Sequence, residues 1–201
     1  MTKTTICGGL VAALVVLALA LPSFSEEGDA GEQGSGDPMQ AFYEAMAKVN
    51  ENHEWLAFME GTFDTTAKFW MGPGEPLEST GKATNTWMFG KRFIRQQYEG
   101  AWEGSTFRGE GTFGYSNATK QYQTLWMDDM STHMDHQQGT REGDKVTLAG
   151  EQHTPFGKIA VRNVYTKVSG DEYVIEGWWT MPPEMGGEMK VMEIRYKRAA
   201  E

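Results

Sequence analysis

From Gly61 to the end of the chain, apolar and polar side chains alternate in short segments that turn sequences separate. In the first segment Phe63, Thr65, Ala67 and Phe69 alternate with hydroxyl-bearing or charged residues. Successive side chains of a β-strand point to opposite faces, so this period of two predicts strands with one buried face. Regular short strands between turn signals are typical of an all-β sandwich or barrel.

The alternation predicts about ten strands. They cover residues 62–69, 80–89, 92–98, 106–115, 122–129, 132–138, 145–151, 159–168, 173–180 and 189–198. No second helical pattern is present to build βαβ units, and the short connections favour an antiparallel up-and-down barrel over a Greek-key sandwich. Glycines within this pattern are typical of the bulges and bends that close a barrel. They include Gly100, Gly104, Gly109, Gly111 and Gly114.

One α-helix is predicted immediately before the strands. Asp37 followed by Pro38 is a helix start, because the aspartate caps the backbone and proline suits the first helical position. An apolar stripe follows at helical spacing and ends near residues 50–53. It consists of Met39, Phe42, Tyr43, Met46 and Val49. We expect a helix with such a face to dock on the rim of the sheet.

The first 25 residues predict a signal peptide. Lys3 is the single charge before an apolar run over residues 6–21, and small residues permit cleavage after Ser25 or after Ala20. The run is shorter than the ~20 residues that a membrane-spanning helix needs, with an uncleaved anchor as the alternative. The expected location is therefore secreted or periplasmic. Cys7 lies at the start of the apolar run instead of after it, so it is not placed as a lipid-acceptor cysteine.

Residues 26–37 are acidic and glycine-rich without a large apolar side chain, which predicts a disordered linker. Residues 38–201 then form the helix-capped barrel domain. The formal net charge of −10 leaves no basic excess for nucleic acid or for anionic lipid. One cysteine excludes an intrachain disulfide and a multi-thiolate metal site.

Several segments, taken in order, resemble the bacterial domain of unknown function 1579. They are HEWL (53–56), GTF (61–63), STG (79–81) with Trp87, YEG (98–100), GYSN (114–117), WMD (126–128) and VMEIRYKR (191–198). The resemblance runs from about residue 40 to the C-terminus and implies a calycin-like barrel related to lipocalins, with no established activity. Phe63 departs from the tryptophan that the family tends to have, and Ser116 departs from its aspartate. His133 and His136 also fall where the family pattern has no expected histidine.

The similarity to lipocalins implies a structural contact that closes the barrel. In lipocalins an aromatic residue of the first strand packs under an arginine near the end of the barrel. Phe63 and Arg198 occupy the corresponding places in this chain. A cation over an aromatic face contributes about 0.5–2 kcal/mol, so the expected role of this pair is stability rather than catalysis.

The expected function is the binding of a small apolar or amphipathic molecule inside the barrel. A barrel of this size can hold one small ligand, and tryptophans and methionines give it a soft aromatic lining. The candidate ligand-binding residues are Arg92, Tyr98, Trp126, Asp128 and Glu193. The alternative is that these side chains only fill the core and that Arg92 pairs with one of the acids. We assign no cofactor, and the oligomeric state stays open.

Two other functions compete with ligand binding. Methionines and histidines in residues 127–136, with Met181, Met185 and Met189, are candidates for extracytoplasmic copper handling, but alternation points His133 and His136 to opposite faces. A barrel enzyme, such as an isomerase or cyclase, is a second alternative by analogy of fold. It would use carboxylates and a histidine base, namely Asp128, Asp129, Glu193, His133 and His153. No catalytic motif supports it, so we assign no catalytic residue.

Overall fold

The computed structural model describes residues 37–155 and 157–200. The predicted signal peptide of residues 1–25 lies outside the described residues, as does all but the last residue of the predicted linker. Both stay predictions. Within the described part of the chain, no helix is long and apolar enough to cross a lipid bilayer.

Three short helical segments precede the strands. Helix α1 (Pro38–Ala47) begins at Asp37, whose side chain accepts a hydrogen bond of 2.9 Å from the backbone N–H of Met39. Helix α2 (Glu51–Glu54) begins at Asn50, and a 3-10 helix (Trp55–Met59) continues directly from it. The predicted helix therefore forms, and the segment after it is helical as well.

Ten strands follow, and they confirm the predicted fold. They are β1 (Gly61–Phe69), β2 (Leu77–Met88), β3 (Phe93–Trp102), β4 (Ser105–Ser116), β5 (Gln121–Asp128), β6 (Asp135–Glu142), β7 (Lys145–Thr154), β8 (Gly157–Lys167), β9 (Glu172–Thr180) and β10 (Glu188–Arg198). Each strand pairs antiparallel with its neighbours in sequence, and β1 pairs with β10. The sheet is thus a closed up-and-down barrel.

The sixth strand begins and ends later than the alternation predicts. Residues 129–134 form a loop, in which Asp128 accepts a hydrogen bond from the backbone N–H of Met130 and Ser131 accepts one from that of His133. Such local bonds compete with strand pairing. Strand β6 therefore starts at Asp135 and continues to Glu142, which pairs with Lys145 across a tight turn.

One end of the barrel, which we call the capped end, is closed by the 3-10 helix. Leu56, Phe58 and Met59 are buried there and belong to the same hydrophobic cluster as the inward-facing side chains of the strands. The connections 89–92, 117–120, 143–144 and 168–171 lie at this end. The opposite end, which we call the open end, carries connections 70–76, 103–104, 129–134 and 181–187. The described N-terminal helices lie at the capped end, because α1 is bonded to Arg92 and Asn117 in connections of that end and the 3-10 helix packs into the core.

The predicted contact between Phe63 and Arg198 is confirmed. The guanidinium carbon of Arg198 lies 4.8 Å from the centroid of the Phe63 ring. The same guanidinium donates hydrogen bonds to the backbone carbonyls of Phe58 and Glu60 and to the carboxylate of Asp171. Arg198 therefore joins the 3-10 helix to the first and last strands.

The expectation that α1 docks through its apolar stripe is wrong. No residue of α1 is buried, and Met39, Phe42, Tyr43 and Met46 are all exposed. The helix is attached to the barrel through its C-terminal end. Asn117 donates hydrogen bonds to backbone carbonyls of α1 and of Lys48, and Arg92 donates one to the carbonyl of Ala47. The rim that α1 was expected to cover is already occupied by Leu56, Phe58 and Met59.

His53 is a buried histidine that fixes the turn between the helices and the barrel. Its Nδ1 accepts a hydrogen bond of 3.2 Å from the backbone N–H of Asn50, and its ring makes an edge contact with Tyr115. Burial is the main cause that lowers the pKa of His53, and the positive charge of Arg92 acts in the same direction. The imidazole is therefore held neutral in the folded chain.

This burial predicts a loss of stability in mild acid. The folded-state pKa of His53 lies below its unfolded value of about 6.5, so its contribution is present above that pH and is lost as the pH falls below it. We expect His53→Gln to reduce the fall in melting temperature between about pH 7.5 and pH 5.5. His136→Gln, which alters an exposed histidine, is the control. An equal fall in the wild type and the His53 variant would contradict the assignment.

Candidate functional site

The inward-facing side chains differ in exposure between the two ends of the barrel. Near the capped end, inward residues such as Phe63, Ile94, Tyr122 and Val146 are buried. Near the open end Val161 is buried, but most inward-facing apolar residues are only partly buried. They are Phe69, Trp102, Phe107, Trp126, Ile159, Trp179, Met189 and Met192. The barrel is thus a packed core at the capped end, while its interior at the open end is lined by accessible aromatic and methionine side chains.

Trp126 lies flat against the barrel wall because two glycines on β4 make room for it. A Cβ atom added at Gly109 would lie 2.1 Å from the Trp126 ring, and one added at Gly111 would lie 2.9 Å from it. The indole therefore packs directly on the backbone of the adjacent strand. Such a glycine and aromatic pair is a known device for shaping a curved sheet, and here it keeps a large ring against the wall.

Tyr98 packs in the same way over Gly81 and Gly100. A Cβ atom at either glycine would come within 2.8 Å of the Tyr98 side chain. The Tyr98 ring also makes an edge contact with Phe107, at 5.9 Å between centroids. Together with Trp126, these rings line one side of the barrel interior over β3, β4 and β5.

Stacked tyrosines lie in the packed core next to the helical cap, where the Tyr173 ring contacts Phe58. The rings of Tyr173 and Tyr196 stack at 4.3 Å, and the Tyr173 hydroxyl oxygen accepts hydrogen bonds from the side-chain amides of Asn85 and Gln96. Burial raises the pKa of Tyr165, Tyr173 and Tyr196 well above the ordinary range. These phenols therefore stay neutral and serve as packing and hydrogen-bonding groups.

The polar groups of the open end are mainly acceptors. Asp128 and Asp135 face inward on β5 and β6, and Gln137 follows Asp135 on the same face. One oxygen of Asp135 and the side-chain oxygen of Gln137 are buried without a hydrogen-bond partner. Burial raises the pKa of Asp135, the nearby His133 lowers it, and Asp128 adds to the rise. Orphaned buried acceptors are uncommon in folded proteins and mark a place where a donor is missing.

The structure brings together three of the five predicted ligand-binding residues. Tyr98, Trp126 and Asp128 all face inward on β3 and β5, and the indole N–H of Trp126 donates a hydrogen bond of 3.0 Å to Asp128. Arg92 lies instead in the turn at the capped end, where it bonds to the carbonyls of Ala47 and Phe89. Glu193 faces outward on β10 and pairs with Lys190 at 2.5 Å.

Asp135 and Gln137 belong to the same lining and were not among the predicted ligand-binding residues. The alternation in residues 132–138 places Asp135 on one face with His133, but it does not show which face points into the barrel. The pairing of Asp135 with Trp126 and of Gln137 with Thr124 settles this orientation. The alternation that groups Asp135 with its face is visible in the sequence, but the register between β5 and β6, which shows that this face points inward, is not.

The residues considered for a metal or a catalytic centre do not converge. His133 lies in the loop before β6, with its ring 5.3 Å from that of His153, while His136 is exposed on the outer face. Residues 37–155 and 157–200 contain no group of three or more His, Cys, Asp or Glu side chains placed to hold a metal ion. The carboxylates proposed for catalysis are also separated, because Asp129 is exposed and Glu193 lies on the outer wall.

A groove of about 660 Å³ also lies along the outer wall of β2 to β5. Most of its lining side chains point outward, and several of the charged ones form ion pairs with their neighbours. Lys82 contacts Asp64 at 2.8 Å, and Arg108 contacts Glu99 at 2.9 Å. Exposed ion pairs of this kind are well solvated and contribute little to recognition, so the inward-facing lining is the better candidate site.

The closed ten-stranded barrel, its helical cap and its aromatic interior define a small antiparallel β-barrel protein of the calycin-like kind. Within that class, the chain belongs to the family described as "Protein of unknown function (DUF1579)", whose sequence profile matches residues 48–198. The resemblance drawn from the short motifs is thereby confirmed. No curated protein matches the sequence.

Two solved structures are similar to this chain in fold. Rv2717c from M. tuberculosis has a TM-score of 0.54 at 12% identity, and the match covers 76% of this chain and 100% of that one. The S-type phycobiliprotein lyase CPES from Guillardia theta has a TM-score of 0.53 at 10% identity, covering 77% of this chain and 96% of that one. At these identities the likeness shows the barrel fold alone.

Proposed function

We propose that this protein binds one small apolar or amphipathic molecule inside its barrel, at the open end. The observation that carries the proposal is the contrast in exposure along the barrel interior. Inward-facing aromatics such as Phe107 and Trp126 keep partial solvent access at the open end, whereas Phe63 and Tyr122 near the helical cap are fully buried. Accessible apolar surface that converges with a few polar groups is typical of ligand sites.

The arrangement of the lining supports this function. Trp126 is only partly buried and lies against glycines of the wall, so we place the ligand against its inner face, with the buried Tyr98 packed on the wall beside it. The fold shared with a phycobiliprotein lyase is compatible with small-molecule binding in a barrel of this kind.

The proposal is tested with diphenylhexatriene, an apolar fluorophore without hydrogen-bonding groups, titrated into the purified chain. We expect saturable binding at one site. Phe107→Ala removes an inward-facing ring of the open end and is expected to weaken the dissociation constant about tenfold, corresponding to ~1.4 kcal/mol of lost contact. Phe107 packs against Tyr98, so the variant also tests the wall on which we place the ligand.

Phe93→Ala is the matched control, because Phe93 is an outward-facing ring that is 36% exposed. It removes the same side chain from the other face of the same sheet, and we expect it to leave the dissociation constant unchanged. Absence of saturable binding, or equal effects of the two variants, would contradict a site inside the barrel.

A further inference from the structure

We propose that the molecule bound in the barrel carries a protonated amine or a similar N–H cation, and that Asp135 holds this group. The inference rests on the proposed function and adds the chemical class of the ligand. The barrel interior at the open end offers unpartnered acceptor oxygens beside an aromatic face. A cationic donor attached to an apolar body matches all of these groups at once.

Asp135 is the central acceptor of this arrangement. It is the first residue of β6 and pairs with Trp126, so its side chain faces inward beside the indole. One carboxylate oxygen of Asp135 is buried and has no hydrogen-bond partner. The nearest basic group is Nε2 of His133, at 3.6 Å, which is beyond hydrogen-bond distance. The Asp135 side chain as a whole is 24% exposed, so a ligand can reach the carboxylate, which gains more from a charged donor than from a neutral one.

Gln137 provides an independent second observation. It lies two residues further along β6 on the same inward face, and only 7% of its surface is exposed. Its side-chain oxygen is also buried without a partner. Leaving such a group unsatisfied is costly, so the two acceptors together favour a ligand that donates more than one hydrogen bond.

Asp128 is not the group that takes the ligand directly. Its two carboxylate oxygens already accept hydrogen bonds, one from the indole N–H of Trp126 and one from the backbone N–H of Met130. It therefore fixes the position of the indole and adds a negative charge near Asp135. Both effects favour a cation over an anion at the same place.

The Trp126 ring completes the site. One face of the indole packs on the backbone at Gly109 and Gly111, so the opposite face is turned towards the barrel interior. An aromatic face attracts a cation, and the attraction is larger where water is excluded. The combination of an aromatic face and a carboxylate selects organic cations over neutral or anionic molecules of equal size.

The test compares three probes that share one apolar chain: dodecylamine, dodecanol and dodecanoate. Each is used as a monomer to displace diphenylhexatriene from the unmodified chain. We expect the amine to bind about tenfold more tightly than the alcohol, and the carboxylate to bind most weakly. This comparison needs no variant, so it does not depend on how a substitution affects folding.

The Asp135→Asn variant then tests whether Asp135 causes the preference for the amine over the alcohol. The amide has nearly the same shape without the charge, so we expect the amine to fall to the affinity of the alcohol while the alcohol is unaffected. Asp64→Asn makes the same change on the outer wall, where the carboxylate pairs with Lys82, and is expected to preserve the preference.

The outcomes separate this inference from the proposed function. If diphenylhexatriene binds and the alcohol or the carboxylate competes as well as the amine, the ligand class is overturned and the binding function stands. If the amine is preferred equally in the Asp135→Asn variant, the assignment to Asp135 is overturned. If diphenylhexatriene does not bind at all, both proposals fail.

Discussion

Replacing Phe63 with alanine is expected to lower the free energy of unfolding by about 3–5 kcal/mol, the range found for large buried aromatic residues. Phe63 has no exposed surface. Its ring makes edge contacts with Tyr173 at 5.2 Å and with Tyr196 at 6.5 Å between centroids. The guanidinium of Arg198 lies over its face. The substitution leaves a cavity where β1, β9, β10 and the 3-10 helix meet.

The loss extends beyond the volume of the ring. Phe63 pairs with Arg198 in the register that joins β1 to β10 and closes the barrel. Arg198 also holds the carbonyls of Phe58 and Glu60, so a displaced guanidinium loosens the helical cap as well as the strand pair. A barrel that opens along this seam exposes two strand edges, which closure otherwise removes.

Chemical denaturation of the Phe63→Ala variant measures this effect, with Phe89→Ala as the matched control. Phe89 is 74% exposed at the tip of the turn between β2 and β3, so the same change should shift stability little. Because Phe63 lies in the packed half of the barrel, we expect no new ligand specificity in its variant. A Phe63→Ala chain as stable as the wild type would refute the closure role.

The sequence predicts the fold well because the signal is local. Alternation of side chains and turn residues defines strands without reference to distant parts of the chain, and short connections restrict each strand to its neighbours. The predicted strand boundaries are wrong where side chains form hydrogen bonds with the nearby backbone. The loop of residues 129–134 is the example, since Asp128 and Ser131 hold it out of the sheet.

The candidate site is only partly predictable, because alternation groups residues by face without showing which face is inside. Tyr98, Trp126 and Asp128 face the interior, and their role in ligand binding stays a prediction. Arg92 belongs to a turn and satisfies carbonyls at the end of α1, a contact between residues 45 positions apart. A contact between residues so far apart in the chain forms only when the barrel closes, and barrel closure depends on the register of all ten strands.

The exposed stripe of α1 shows a second limit of sequence patterns. Periodicity establishes that Phe42 and Met46 share a face, but it does not identify what covers that face. The segment that does cover the rim, the 3-10 helix of Trp55–Met59, is too short to give a periodic signal. The rim was therefore assigned to the wrong helix.

Gly139→Ala is expected to be the most damaging substitution of a glycine in the sheet, at the upper end of the ~1–3 kcal/mol that overpacking costs. A Cβ atom at this position would lie 1.9 Å from the backbone oxygen of Thr147 and 3.0 Å from Cα of Leu148. Both atoms belong to the backbone of β7, so no change of rotamer relieves the contact. Strands β6 and β7 must separate locally.

Gly72→Ala is the control for this substitution, because a Cβ atom at Gly72 would meet nothing within 4 Å. Gly72 lies in the loop between β1 and β2, so its replacement changes chain entropy without a clash. Thermal and chemical unfolding of the two variants distinguish two reasons for a glycine in a barrel. If Gly139 serves only as a flexible bend, the two variants will lose similar stability. A selective loss at Gly139 instead shows that the close approach of β6 to β7 requires a residue without a side chain at this position.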